Sequence, residues 1–440
     1  MKINQKGSHV VALVLFVVVA GIVGFAGYTV YKKNSNKSSD HPKVASDSKQ
    51  YATDAVSRGK YLSKDNCSGE GSKKLGSGPM RPADIGVIEP MGLVAGGHVT
   101  PVDHEYYYAK NQSAAKSTYD VLAPASGTLV TVEVRPKGQP GVYDVRGVIS
   151  YSCTFFSYFD LANSLSDEVK AKMPSGWETV NGPQKVNIAV KEGQVIAKVG
   201  GQSLDFAVWD TTKILKGLLV ADAYNNYEPW KVNTAQPLDY YSDGAKTALL
   251  PFYVRSEAPR DGRIDYDVDG KAVGNWFKKG TNGYIGAWKE ADFNPMTYAD
   301  GHLSIAPDFL NPGSGWAFST GAVNHGTQYA IKSPSVTPDK LDQSSGLVKY
   351  ELANYEHIDE TGAKWMGASV PKSIKLNTSG STMATVLLQM TGKRELKVQV
   401  FPGKSAGQVT DFTDATSYTR GDEATTMMGP DQGNSRPKTP

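Results

Sequence analysis

Ala123-Pro124-Ala125-Ser126-Gly127-Thr128-Leu129 and, further along the chain, Val190-Lys191-Glu192-Gly193-Gln194-Val195-Ile196-Ala197 each set a glycine-bearing turn against an apolar run. Proline and glycine end one extended segment and let the next begin. Working outward, Gly127–Val134 (GTLVTVEV), Tyr143–Tyr151 (YDVRGVISY) and Lys185–Val190 alternate or run apolar at strand length. Turn residues separate them at 136–141 (PKGQPG), 181–184 (NGPQ), 191–194 (KEGQ) and 199–202 (VGGQ). One good helix start stands out, Ser164–Lys172 (SLSDEVKAK), with a serine cap ahead of acidic residues. The reading is mainly β.

The chain has 440 residues, too many for one ordinary core. Hydrophobic residues make up 40% and charged residues 21%, with glycine and proline frequent but aperiodic. This excludes collagen, a coiled coil and wholesale disorder. Tyr 23, Phe 13 and Trp 7 suit short strands joined by tight turns. The net charge is +3, and the excess is local. Residues 1–60 hold nine Lys/Arg against three Asp, which leaves 38 basic and 41 acidic side chains elsewhere. No basic groove for nucleic acid is expected.

Val10–Val30 (VVALVLFVVVAGIVGFAGYTV) carries no charge and is long enough, as a helix, to cross the hydrocarbon core. A cleaved signal peptide has a shorter apolar region, although GFAG offers a weak cleavage site. The expected layout is a cytoplasmic tail at 1–9, a single-pass anchor at 10–31 and a polar linker at 32–78. Lysines flank both ends of the span, so the short tail decides the orientation, with the body on the extracytoplasmic side. That compartment permits a bridge between the two cysteines, Cys67 and Cys153; two unrelated thiols is the alternative.

Beyond a first β domain at 79–254, an antiparallel domain is expected at 255–420 and a disordered tail at 421–440. Asp265-Tyr266-Asp267-Val268-Asp269-Gly270 opens like a calcium loop, but position twelve is Trp276 rather than an acid. A hairpin with an Asp-Gly turn explains the same residues. Strand candidates follow at 275–284, 301–308, 315–321, 346–355, 382–390 and 395–401, consistent with a barrel or a sandwich. Trp276, Trp288, Trp316 and Tyr284 either line a glycan-stacking surface or pack a core, the commoner fate. His302, His325 and His357 are too scattered to argue for a metal cluster.

Residues 98–206 resemble the lysostaphin-like (LytM-type) zinc endopeptidases, whose fold is a barrel-sandwich hybrid. Their order is a His-x-x-x-Asp motif, the first turn, Tyr-x-His-Leu, the second turn and His-x-His. Here the order reads His98-Val99-Thr100-Pro101-Val102-Asp103, APASGTL, Tyr158-Phe159-Asp160-Leu161, VKEGQVIAKVG and Ser203-Leu204-Asp205-Phe206. Biotinyl and lipoyl carriers share the turns, but no lysine sits in a carrier-type hairpin. The resemblance implies zinc held by His98, Asp103 and Asp205, with Asp103 one residue late. Asp160 and Ser203 stand where the family has the histidines that orient water and stabilise charge. The expectation is therefore a degenerate site with no catalytic residue. His98, Asp103, Asp160, Ser203 and Asp205 would line a groove that binds peptidoglycan or an envelope partner. A zinc endopeptidase with an altered ligand set and a structural protein without ligand are the alternatives. The bland reading makes His98 a turn histidine and Asp205 a polar residue on the open face of a strand. His104 is expected to face away from Asp103, as strand neighbours do.

Overall fold

The computed structural model describes residues 54–136, 143–180, 182–225, 227–281, 283–286, 294 and 297–421. The expected anchor, residues 32–53 of the expected linker, Trp288 and the tail after Gly421 lie outside them. Among the described residues, no helix is long and apolar enough to cross a membrane.

The first half is built on one large sheet. Its strands are β1 (Ile85–Glu89), β2 (Glu105–Ala109), β3 (Tyr119–Leu122), β4 (Gly127–Pro136) and β5 (Tyr143–Ser150). There follow β6 (Phe155–Ala162), β7 (Ser164–Leu165), β8 (Gln184–Val190), β9 (Val195–Val199), β10 (Leu204–Asp210) and β11 (Thr234–Ala235). The order is β1-β2-β10-β6-β5-β4-β8, with β11 on β10 and a separate sheet β3-β9-β7. The two glycine turns meet: Gly127 pairs with Val190, Ala123 N–H donates to Gln194 O (2.9 Å) and Gly193 N–H donates to Ala123 O (2.9 Å). Glycine is needed at 127, where a Cβ would lie 2.7 Å from Ser150 O, and at 193, where φ is +73°.

Alternation gives the sheet two apolar faces. Leu204, Phe206 and Val208 join the main core with Phe155, Phe159 and Leu129. Ala207 and Trp209 point the other way, with Val130, Val148, Phe156 and Tyr158. That second face is covered by α1 (Ala55–Leu62), within the stretch expected to be linker. Gly59 lets the helix touch Cys153, whose carbonyl would clash with any Cβ. Arg58 donates to Thr211 O (2.6 Å), and Cys67 is joined to Cys153 in a disulfide. Leu75 is fully buried in the main core, so the described part of the linker is folded because it carries these few anchoring groups. The helix expected at 164–172 shrinks to α2 (Asp167–Lys170), capped by Ser166, because Ser164 and Leu165 pair with β9 instead. A third helix, α3 (Asp243–Leu249), is capped by Ser242.

The second half closes into a barrel. Its members are β12 (Gly274–Lys278), β13 (His302–Pro307), β14 (Trp316–Thr320), β15 (Thr327–Lys332) and β16 (Val348–Asn354). After the small β17 (His357–Asp359) and β18 (Ile374–Leu376) come β19 (Ala384–Gly392), β20 (Glu395–Pro402) and β21 (Thr416–Thr419). Pairing runs β12-β13-β14-β15-β16-β19-β20-β21, and β21 returns to β12. Closure removes both sheet edges.

The expected hairpin at 264–277 does not form. Asp265 accepts Gly217 N–H (3.0 Å), and Asp267 accepts Leu219 N–H (3.0 Å) and Asn275 N–H (2.7 Å). These aspartates satisfy loop amides, so the segment before Gly274 stays irregular. Trp276 is fully buried in the barrel core, Trp316 packs against it, and Tyr284 is buried between Tyr224 and Phe277. Packing, not a glycan surface, is where these three go.

Candidate functional site

The residues named from the sequence do gather, on β10 and its neighbours. Asp205 lies directly opposite Asp160 on β6 and Tyr106 on β2. Asp103 and His104 form the bend that leads into β2. Strand alternation therefore does not apply to them, and His104 turns towards the site. Its Nδ1 is 3.4 Å from Asp103 Oδ1 and its Nε2 is 3.3 Å from Asp205 Oδ2. His98 closes a tight turn, exchanging backbone hydrogen bonds with Ala95. Its ring meets His104 edge-on, with centroids 6.2 Å apart. Gln328 on β15 braces that turn, accepting from Gly96 N–H (2.9 Å) and donating to Gly96 O (3.0 Å). Ser203 is half-buried in the loop before β10.

The residue that organises the cluster was not singled out in the sequence. Lys231, 4% exposed, sets its Nζ 3.2 Å from Asp103 Oδ1 and 3.3 Å from Glu228 Oε2. It also stands 5.5 Å above the centre of the Tyr284 ring. Burial works against the charge on Asp103, but Lys231 and then His104 outweigh it and hold the carboxyl far below its ordinary range. The Lys231 ammonium is likewise opposed by burial yet raised by Asp103 and Glu228.

Burial pushes Asp205 up to about 7; His104 opposes this and Asp160 adds to it. His104 is raised, because Asp205 and Asp103 outweigh its own burial. His104 lies between two carboxylates, Asp205 and Asp103, and both favour its proton. His98 moves down, to about 4, through crowding by protein atoms and then the neighbouring His104 and Lys231. Since the residue itself is exposed, water softens the crowding contribution.

Asp160 has no spare acceptor role. Arg135 and Arg146 both clasp it, Arg146 at 2.7 and 2.8 Å, and Leu161 N–H donates to it at 2.6 Å. Burial opposes its charge, and the arginines outweigh burial.

A zinc ion held by His98, Asp103 and Asp205 does not fit these groups. Asp103 Oδ2, His104 Nε2 and Asp205 Oδ1 are buried without hydrogen-bond partners, which is the mark of atoms a cation could use. They do not converge, however, because Asp103 faces Nδ1 of the imidazole and Asp205 faces Nε2. Asp103 is already neutralised by a buried ammonium, which would repel a divalent ion. Among the described residues, no three His, Cys, Asp or Glu side chains are grouped to hold a metal.

Beside the cluster, on the same sheet face, lies a cleft of about 930 Å³ between α1 and the strands. Tyr158, Trp209 and Trp230 line it as a stack, with centroids 5.2 and 5.6 Å apart. Arg146 lies over the Tyr158 ring. Trp209 Nε1 is buried without a partner. In the sequence, the only sign of this cleft is Trp209 at the end of an alternating strand; Trp230 and Lys231 come from a short 3-10 helix, Pro229–Asn233, with no pattern to read.

No family model matches the chain, and no curated protein matches it. Among solved structures, the chain is similar to Csd3 of Helicobacter pylori at 16% identity and a TM-score of 0.21, over 32% of each chain. It is also similar to lysostaphin at 12% identity and a TM-score of 0.23, over 79% of this chain and 92% of that one. The chain thus matches about a third of the length of Csd3. Scores this low do not establish a shared fold. No family is assigned.

Proposed function

We propose that this is a single-pass membrane protein of a bacterial envelope, with its body outside the cytoplasmic membrane. Its first β domain is a non-hydrolytic relative of the LytM-type endopeptidases that binds cell-wall polymer. The charge-free Val10–Val30 span and the order of the five sequence elements support the location and the kinship.

One observation carries the non-hydrolytic reading: the Lys231 ammonium neutralises Asp103 from within. Hydrolysis by the family's route needs a metal-bound water and a neutral imidazole to take its proton. Here Asp160 is fixed by two arginines in the place of one histidine. Ser203, in the place of the other, has no basic group. What remains is a shaped cleft beside a rigid, charge-balanced floor, which suits binding.

The test is co-sedimentation of the full chain in detergent with isolated bacterial cell wall, while newly freed amino groups are followed with and without zinc. The reading expects the protein in the pellet and no new amino groups. Zinc-dependent release that is lost in His98→Ala would establish the altered-ligand endopeptidase instead.

A further inference from the structure

We infer that the cleft under α1 is a carbohydrate site, built for uncharged sugar rings of an envelope glycan rather than for its peptides; this rests on the wall-binding reading above and names the ligand class for it.

The wall chemistry points to a neutral, hydroxyl-rich ligand. Lys60, Lys64 and Arg146 supply positive charge, and Asp65 and Glu133 supply negative charge. Much of the positive charge is already engaged, since Arg146 is paired with Asp160 and Lys64 donates to Pro183 O at 2.6 Å. An anionic polymer would find little unbalanced charge. Donors and acceptors side by side instead match hydroxyl groups, each of which both donates and accepts.

The aromatic lining supplies the apolar half of the match. Trp209 stacks with Tyr158 and with Trp230, contacts that engage ring faces and not the edge. The Nε1–H on that edge has no acceptor in the protein, and a buried donor left unmet is unfavourable. A ligand oxygen would relieve it. Trp230 is only half-buried and offers ring surface to the C–H face of a sugar.

The sheet also argues against a peptide. Peptides that bind sheets add to an unpaired edge through their backbones. The floor of the cleft comes from β4, β5, β6 and β10, each already paired on both sides. A ligand there meets side chains only, which suits a sugar.

The test titrates the full chain in detergent with a neutral N-acetylglucosamine tetramer, a sugar-free wall stem peptide and a uronic-acid tetramer, by calorimetry and tryptophan fluorescence. The expected result is saturable binding of the neutral tetramer alone. Trp209→Phe, which keeps an aromatic face and removes the N–H, should weaken it about three- to tenfold. Trp230→Ala, outside the sheet, should weaken it up to about tenfold with cooperative unfolding retained. Parental affinity in both variants would overturn the assignment to this cleft. Preference for the acidic tetramer would overturn the neutral class. Binding of the peptide alone would overturn the sugar assignment and leave wall binding standing, whereas binding of none of the probes, with no pelleting on wall, would remove both.

Discussion

Lys231 holds a full charge almost out of water, and Asp103 and Glu228 are the carboxylates that make that tolerable. Removing one partner of a buried pair strands the other. Lys231→Met should therefore lower the unfolding free energy by about 3–5 kcal/mol. Replacing both partners, as Lys231→Met with Asp103→Leu, should recover much of that loss. Urea unfolding of the four combinations measures the coupling, and a double variant as unstable as the sum of the singles would contradict the pairing. At this scale the sequence was partly legible. His98, Asp103, Asp160 and Asp205 could be placed together because each stands beside a turn or strand whose order along the chain can be read directly. His104 was misjudged, since β2 begins one residue later, at Glu105, and a bend obeys no alternation. Lys231 was invisible because its contact with Asp103 spans 128 positions and follows from no local pattern.

Among the elements, β1 carries a titrating group that ties the sheet to the barrel side. Burial raises Glu89 from 4.5 to about 7, with His357 opposing. His357 is itself raised, because Asp308, which accepts its Nε2 at 2.6 Å, outweighs burial. Both groups bind protons more tightly folded than unfolded. The Glu89 contribution is therefore complete below about pH 4.5 and is lost as pH rises through about 7, and that of His357 is lost above the ordinary histidine range. Glu89→Gln should flatten that fall, by on the order of 2–3 kcal/mol across the interval. Denaturant midpoints from pH 4 to pH 8 would show it, and an unchanged slope would contradict it. For α1, the disulfide closes a loop of 86 residues. Replacing Cys67 and Cys153 with alanine should cost about 2–5 kcal/mol. Hydrogen exchange should loosen first at 55–62, and uniform loosening would contradict that order. Elements delimited by glycine turns, such as β4, β5 and β8, were readable in the sequence. Residues 54–78 of the expected linker were misread because composition is blind to a few anchors such as Leu75, Arg58 and Cys67. The expected hairpin was misread because its aspartates serve distant amides.

For the molecule as a whole, a barrel and a sandwich share one strand pattern, and only the β12–β21 pairing separates them. Closure also leans on Arg420, which the sequence left unmarked next to the expected tail. Its guanidinium lies 3.7 Å from the centre of the Trp276 ring and donates to Asn275 O (2.6 Å) and Val273 O (2.5 Å). Arg420→Ala leaves those buried carbonyls unmet and should destabilise the protein by about 2–4 kcal/mol, read from its thermal or urea unfolding. Membrane placement is a separate expectation: protease added to intact spheroplasts should remove the body and spare a small fragment, and full protection would reverse the orientation. The central claim is that a lysine replaces the metal and leaves a floor for binding. Equilibrium dialysis of the full chain against micromolar zinc tests it most directly. The account predicts far less than one zinc per chain in the unaltered protein. One tightly held zinc per chain, lost on His98→Ala or Asp205→Ala, would contradict it.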